Sequence, residues 1–418
     1  MAAPAAEVSL AAARGIVAEQ AARLRPGPAR RVVLGRALGR WLAAPAPAER
    51  DAPPWPRAMR DGYALAAGAH AVSADTALRV VGLVRAGADP WPESAALPAG
   101  ACCEIMTGAP VPPGADAVAM AEWSRRQGAL VWFDRPVIPG ANVAPQGSEM
   151  RAGDVALAAG VRLDYSRVAL LAAVGQARPL VFPAPPVAIL ASGDELVEAE
   201  APTPSGGRIR NSNGPAIAAL VIRAGGRPCR LPIVPDQLAL VSQQIEAGLA
   251  QADLLLVTGG ASVGKFDFVR DAWRDRGGEW LFDAVRIRPG RPVSCGVLPG
   301  SQPPKLCFAL PGNPLSAMLT FELFVRPIIA ALAGAEPGTA SRPWLSAQMG
   351  FDYQGQPHPL VTFVPVRLAA DLDAASILPV RYHGSADLAA LAAADGYLVV
   401  AENQTVISRG AWAPVLLK

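Results

Sequence analysis

Lysine and histidine are almost missing from this chain of 418 residues. Only three of its 38 basic residues are lysines (Lys265, Lys305 and Lys418), and its three histidines, His70, His358 and His383, lie far apart. The arginine excess, in an alanine-rich chain, reads as genome composition rather than function. Each isolated histidine reads as surface or core filler, so no Ser–His–Asp or Cys–His nucleophile arrangement can be built. The five cysteines (Cys102, Cys103, Cys229, Cys295, Cys307) contain no C-x-x-C pair, which argues against structural zinc. Their odd number and lack of a framework fit a reducing cytoplasm. A net charge of +3 is too small to argue for nucleic acid or a membrane surface. No uncharged apolar run has membrane-spanning length. Met1 to Arg14 carries Glu7 before any basic residue, so the basic start of a secretory signal is missing.

Two glycine turns stand out among what is present. An apolar strand-like run, Leu254 to Val257, enters Thr258-Gly-Gly-Ala-Ser-Val-Gly264-Lys-Phe-Asp267, and a helical pattern leaves it, from Asp267 to Arg276. A second turn, Leu310-Pro-Gly-Asn-Pro314, lies between the strand-like run Leu306 to Leu310 and an apolar helical run, Leu315 to Leu332. A turn between strand and helix aims backbone N–H groups at one spot, and the helix dipole adds to the attraction for an anion. One such turn is an ordinary βα loop. Two imply a ligand with an oxyanion at each end.

The length implies two or more domains. Val8 to Leu24 and Val32 to Ala43 read as helices, closed by Pro26-Gly-Pro28 and Pro45. From 51 to 140, short strand-like runs (77–84, 101–106, 117–120, 129–133) alternate with proline and glycine, as in a small β-rich module. Beyond it, Gly153 to Gly160 and a helical run, Ser166 to Val174, match the pattern of residues 8–45. The module is therefore expected to be inserted into a helical domain of two segments, 1–50 and 141–180. After the proline cluster Pro179 to Pro186 the pattern is βαβ: strands 187–191, 228–234 and 254–257, helices 215–224 and 237–250. That alternation predicts a doubly wound parallel sheet over 181–334, with Asn211-Ser-Asn213 as a polar helix entry. Segment 335–418 reads as a final β domain, with strands at 359–368 and 397–407.

Ligands of such sheets bind beyond the carboxyl ends of the strands. Both glycine turns would lie there, as would Ser192-Gly193-Asp194-Glu195, Asp236 and Asp267. Carboxylates gathered on one rim repel unless a cation sits between them, and Mg2+ takes oxygen ligands. Asp236 or Asp267 alone suits a helix cap equally well. Arg286, Arg288 and Arg291 form a compact basic element suited to phosphate, or a solvated edge strand. In the β module, Asp61-Gly62 and Met106-Thr107-Gly108 have the form of ordinary turns.

Taken in order, Asp61-Gly-Tyr-Ala64, Met106-Thr-Gly-Ala-Pro110 with Gly114-Ala-Asp-Ala-Val118, Ser192-Gly-Asp-Glu-Leu196, Gly259-Gly-Ala-Ser-Val-Gly264 with Asp267, and Leu310-Pro-Gly-Asn-Pro314 resemble the molybdopterin molybdenumtransferase family, whose relatives include the C-terminal domain of gephyrin. The resemblance runs from about residue 8 to 418. It implies four parts: a helical segment, an inserted β-rich domain (51–140), an α/β molybdopterin-binding domain and a C-terminal β-barrel. It implies a homodimer that inserts molybdate into adenylyl-molybdopterin with Mg2+, releasing AMP and molybdenum cofactor. The module of one subunit would then cover the α/β domain of the other. Transient contact with other proteins of cofactor biosynthesis is also expected.

By the resemblance, Asp61, Thr107, Glu195, Asp236 and Asp267 are catalytic, the last three also holding the metal. Ser192, Gly193, Asp194, Gly259, Gly260, Ser262, Gly264, Arg288, Arg291, Pro311, Gly312, Asn313 and Pro314 would bind substrate. The family's Lys-Pro-Gly-Lys-Pro element carries Arg288 and Arg291 here; phosphate binding survives that change, a role for a neutral amine does not. Gly147-Ser148-Glu149 replaces a family Gly-Glu-Asp and receives no role. An adenylyltransferase of molybdopterin or a non-catalytic scaffold of the same fold are the alternatives. The insert and barrel speak against the first, the retained acidic positions against the second.

Overall fold

The computed structural model describes residues 7–68, 70–259, 268–336, 344–370 and 375–418. Helix α1 (Leu10–Arg23) begins where the Ser9 hydroxyl accepts the Ala12 N–H at 3.1 Å, the usual cap of a helix start. Beyond it, the expected helix over Val32 to Ala43 does not form. Only a 3₁₀ turn, Leu34–Arg36, remains, and the rest of the stretch pairs with distant backbone. The Leu42 N–H donates to Val161 O, the Ala43 N–H to Leu180 O, and the Gly160 N–H to Leu42 O. These tertiary bonds, with Trp41 and Leu42 buried, outweigh a modest helical preference broken by Gly35 and Gly39.

Residues 51–140 form a six-stranded sheet: β1 (Gly62–Leu65), β2 (Leu78–Val84), β3 (Ala101–Ile105), β4 (Ala117–Met120), β5 (Ser124–Gln127) and β6 (Leu130–Phe133), in the order β4-β1-β3-β2-β6-β5. The chain on either side of it pairs with itself, Ala46–Pro47 against Val155–Leu157 and Ala52 against Met150. Helix α2 (Tyr165–Ala173) follows, capped by Asp164.

The next sheet carries the candidate site. Its strands are β7 (Pro186–Ala191), β8 (Arg227–Arg230), β9 (Leu254–Thr258), β10 (Glu279–Phe282), β11 (Ser294–Leu298) and β12 (Lys305–Leu310), in the order β8-β7-β9-β12-β11-β10. The four strands β8, β7, β9 and β12 are parallel; β11 and β10 add an antiparallel edge that the βαβ pattern does not predict. The connection 299–304 between β11 and β12 is too short for a crossover helix, so that pair must run antiparallel.

Helices α3 (Asn213–Ala224), α4 (Leu238–Gln251) and α5 (Phe268–Asp275) flank the sheet with a long final helix. That helix runs as α6 (Pro314–Thr320), a π turn over Phe321–Val325, and α7 (Arg326–Leu332). Strand side chains alternate between the two faces as the pleat requires. Val187 and Ile189 meet Ile217, Val221 and the final helix, whereas Ala188 and Leu190 meet Val241, Ile245 and Trp273. The final helix, Pro314–Leu332, is long and apolar enough to cross a membrane by length and composition, yet 89% of it is buried inside the fold.

The last strands are β13 (Trp344–Met349), β14 (Val361–Ala370), β15 (Ala375–Pro379), β16 (Gly396–Val400) and β17 (Trp412–Leu417). They pair β14-β15-β13-β17-β16 and close through β16 to β14, a five-stranded barrel. Phe363, Tyr397 and Leu416 from this barrel pack into the same core as α1 and the final helix.

Candidate active site

At the carboxyl ends of β7, β9 and β12 lies an open cleft of about 1150 Å³. Ser192, Glu195, Asn211, Asn213, Thr258, Gly259, Arg291, Pro311, Gly312, Asn313 and Pro314 line it, and Ser385 and Ala386, with Leu388 at the start of a short helix of the C-terminal region, close one side. Ser192, Glu195, Gly259, Arg291 and the four residues 311–314, far apart in sequence, are thus brought together. Gly260, Ser262, Gly264 and Asp267 fall outside the described residues.

The loop after β7 and the turn after β9 interlock. The Ser192 N–H donates to Thr258 O at 3.0 Å, and the Gly193 N–H to Val234 O at 3.1 Å. Gly259 has φ +89°, and a Cβ there would come within 2.0 Å of Ser192 O. Both the left-handed backbone and the close approach demand glycine.

The Ser192 hydroxyl donates to the Asp236 carboxylate, and Asp194 Oδ1 accepts the Asp236 N–H at 3.3 Å. Asp236 is therefore held against the β7 loop by Ser192. It does not cap α4, whose N-cap is Gln237 with no side-chain bond. Asp194 and Glu195 are exposed.

The second turn is braced from two directions. Pro314 occupies the first helical position of α6, where its missing N–H costs nothing. Asn313 Nδ2 donates to Ser385 Oγ at 2.8 Å, and the Leu315 N–H donates to Ser385 O at 3.0 Å. Part of the turn's donor capacity is thereby already taken by the barrel side.

Arg291 lines the cleft while its Nε donates to Glu7 Oε1 at 2.7 Å. Arg288 is exposed and does not belong to the cleft lining. Arg286 reaches Pro359 O at 2.8 Å and Glu402 at 3.7 Å, so it ties the α/β sheet to the barrel.

Asp61 and Thr107 meet in the inserted module. The Thr107 N–H and hydroxyl both donate to Asp61 Oδ1, at 2.6 and 2.7 Å, and these two bonds hold the Asp61 carboxyl below the usual aspartate range. Strand β1 presents Asp61 because Gly62 lets it press against β4; a Cβ at Gly62 would sit 1.8 Å from Ala119 O. Neither residue belongs to the cleft lining. Among the described residues no group of three His, Cys, Asp or Glu side chains is arranged to hold a metal ion.

Asn213, legible in the sequence only as part of a helix entry, lines the cleft with 8% of its surface exposed. The helix-entry work belongs to Asn211, whose Oδ1 accepts the Gly214 N–H at 2.8 Å. Two asparagines at one helix entry were the available signal, since Asn211 alone makes the side-chain bond to the helix backbone there.

Known proteins align with this architecture from end to end. Residues 8–175 match the MoeA N-terminal region (domain I and II), residues 188–331 a probable molybdopterin binding domain, and residues 347–418 the MoeA C-terminal region (domain IV). The chain is 31% identical over 392 residues to the molybdopterin molybdenumtransferase of Bacillus subtilis (strain 168), covering 92% of this chain and 89% of that protein. It is 36% identical over 302 residues to the protein of the same name from Synechococcus elongatus, covering 71% and 72%. The crystal structure of the molybdopterin biosynthesis moeA protein from Pyrococcus horikoshii OT3 superposes with a TM-score of 0.78 at 27% identity, over 99% of this chain and all of that one. On sequence, domain order and fold together, the chain belongs to the molybdopterin molybdenumtransferase family.

Proposed function

We propose that this protein inserts molybdate into adenylyl-molybdopterin in an Mg2+-dependent reaction, releasing AMP and molybdenum cofactor. The observation that carries the reading is a cleft in which Gly259, the turn 311–314, Glu195, Arg291 and the Asp236-bound Ser192 converge. The sequence pattern of two glycine turns, each leading into a helix, suits a ligand with an anionic group at each end. Arg291 adds a fixed positive charge beside them.

Oxygen donors suit a hard cation, and Glu195, Asp236 and Asp267 are the residues proposed to hold Mg2+. The described carboxylates do not by themselves make a three-ligand site. When bound, the ion would neutralise phosphate charge. Asp61 and Thr107 lie on the inserted module outside the cleft lining, which favours a homodimer in which one subunit's module completes its partner's site.

Purified protein incubated with adenylyl-molybdopterin, molybdate and Mg2+ should release AMP, and chelation of Mg2+ should suppress that release. AMP at the level of a protein-free control overturns the reading.

A further inference from the structure

Asn213 opens α3 at the floor of the cleft, and its side chain is almost wholly buried, at 8% exposure. Its Nδ2 donates twice, to Gly312 O at 2.7 Å and to Thr258 Oγ1 at 2.9 Å. It thereby joins the end of β9 to the turn after β12. Its Oδ1 is buried and has no partner.

The orientation of this amide is fixed by chemistry. A backbone carbonyl can only accept, so the atom facing Gly312 O must be the nitrogen. Turning the amide over would set two acceptors against each other and forfeit that bond. The oxygen is therefore committed to the position without a partner. A buried carbonyl oxygen that gives up water and gains nothing in return is destabilising, and such groups are uncommon in folded proteins. Asn213 lines the cleft between Thr258 and Gly312, so a ligand seated deep enough to reach this oxygen gives it the partner that helix capping does not.

We propose that Asn213 is a ligand-binding residue: its Oδ1 accepts a hydrogen bond from an N–H group of the bound pterin. The assignment rests on the proposed molybdopterin chemistry and deepens it. A pterin ring carries amino and amide N–H donors, whereas phosphate and diphosphate groups interact with the turns as acceptors. The turn 311–314 and Arg291 would thus hold the charged part of the ligand while Asn213 reads its heterocycle.

Two probes separate this role from simple bracing of the turns. Binding of molybdopterin and of inorganic pyrophosphate is measured by calorimetry for wild type and Asn213→Ala, with folding checked by circular dichroism. Loss of a ligand contact should weaken molybdopterin about tenfold and pyrophosphate less than about twofold, the scale of one hydrogen bond. Equal weakening of both probes, or none of either, overturns the assignment and leaves Asn213 as a brace. Should Asn213→Ala fail to fold, Asn213→Ser is read by the same ratio. Wild-type protein that binds pyrophosphate but not molybdopterin would instead overturn the molybdopterin reading, and this assignment with it.

Discussion

Asp61 owes its acidity to one neighbour. Two bonds from Thr107 favour the charged carboxylate, and together they outweigh the opposing effect of desolvation. Thr107→Val should keep the backbone bond and remove the hydroxyl one, so the Asp61 pKa should rise toward its ordinary value of 3.8. A carboxyl-detected NMR titration checks this; an unchanged midpoint would mean the hydroxyl bond is absent in solution. Because folding lowers this pKa, the bonds stabilise the module above the unfolded value, and that contribution is lost as pH falls through the folded value. Gly259 illustrates a different constraint. Gly259→Ala must either strain a left-handed backbone or push the β7 loop away, since the obstructing atom is Ser192 O rather than a movable side chain. The expected destabilisation is about 1–3 kcal/mol, measured by urea unfolding. The loop it displaces is the one that carries Ser192 to Asp236.

Elements made by continuous apolar strands between helices were legible because parallel central strands are buried on both faces. Leu254, Leu255, Leu256 and Val257 are fully buried, and no polar residue interrupts them. The helix that failed to form over 32–43 and the antiparallel strands β10 and β11 were not legible for the opposite reason. Their conformation depends on partners distant in sequence, such as Val161 and Leu180, or on the shortness of a connection. In the cleft, Gly259 and the turn 311–314 announced themselves through composition, but a single buried amide such as Asn213 has no local pattern distinct from a cap. The final helix hides a further feature. Glu322 and Arg326, 4% and 7% exposed, form an ion pair across its π turn, and Arg223 on α3 donates to Glu322 at 3.0 Å. The Arg326 N–H bonds back to Phe321 O, and Pro327, which has no N–H, follows directly. Glu322→Ala should leave Arg326 buried without its counter-charge and cost about 3–5 kcal/mol in urea unfolding. Replacing both residues with apolar ones of similar volume should cost far less; equal losses would show that the helix path, not the charge, dominates.

For the whole molecule, the separation of Asp61 and Thr107 from the cleft lining leads to a subunit-mixing experiment. An Asp61→Ala subunit and an Asp236→Ala subunit should each be inactive alone. In a mixed dimer with shared sites, one site carries both lesions and the other carries neither. Random exchange makes about half the dimers mixed, so activity should return to roughly a quarter of wild type. With exchange verified by mass, activity that stays at the level of the separate variants would place the complete site within one chain.

The two bonds to Ser385 also make the barrel a thermodynamic participant in binding. A ligand that requires the 311–314 turn to hold its shape stabilises whatever holds it, so occupancy and barrel docking must favour each other by one and the same factor. Saturating adenylyl-molybdopterin should therefore slow hydrogen exchange not only at the turn but in β14 and β16. Ser385→Gly, which deletes only the hydroxyl bond to Asn313, should reduce that remote protection and the ligand's affinity in equal proportion. The C-terminal barrel would thus work as a reporter of an event that takes place on another sheet.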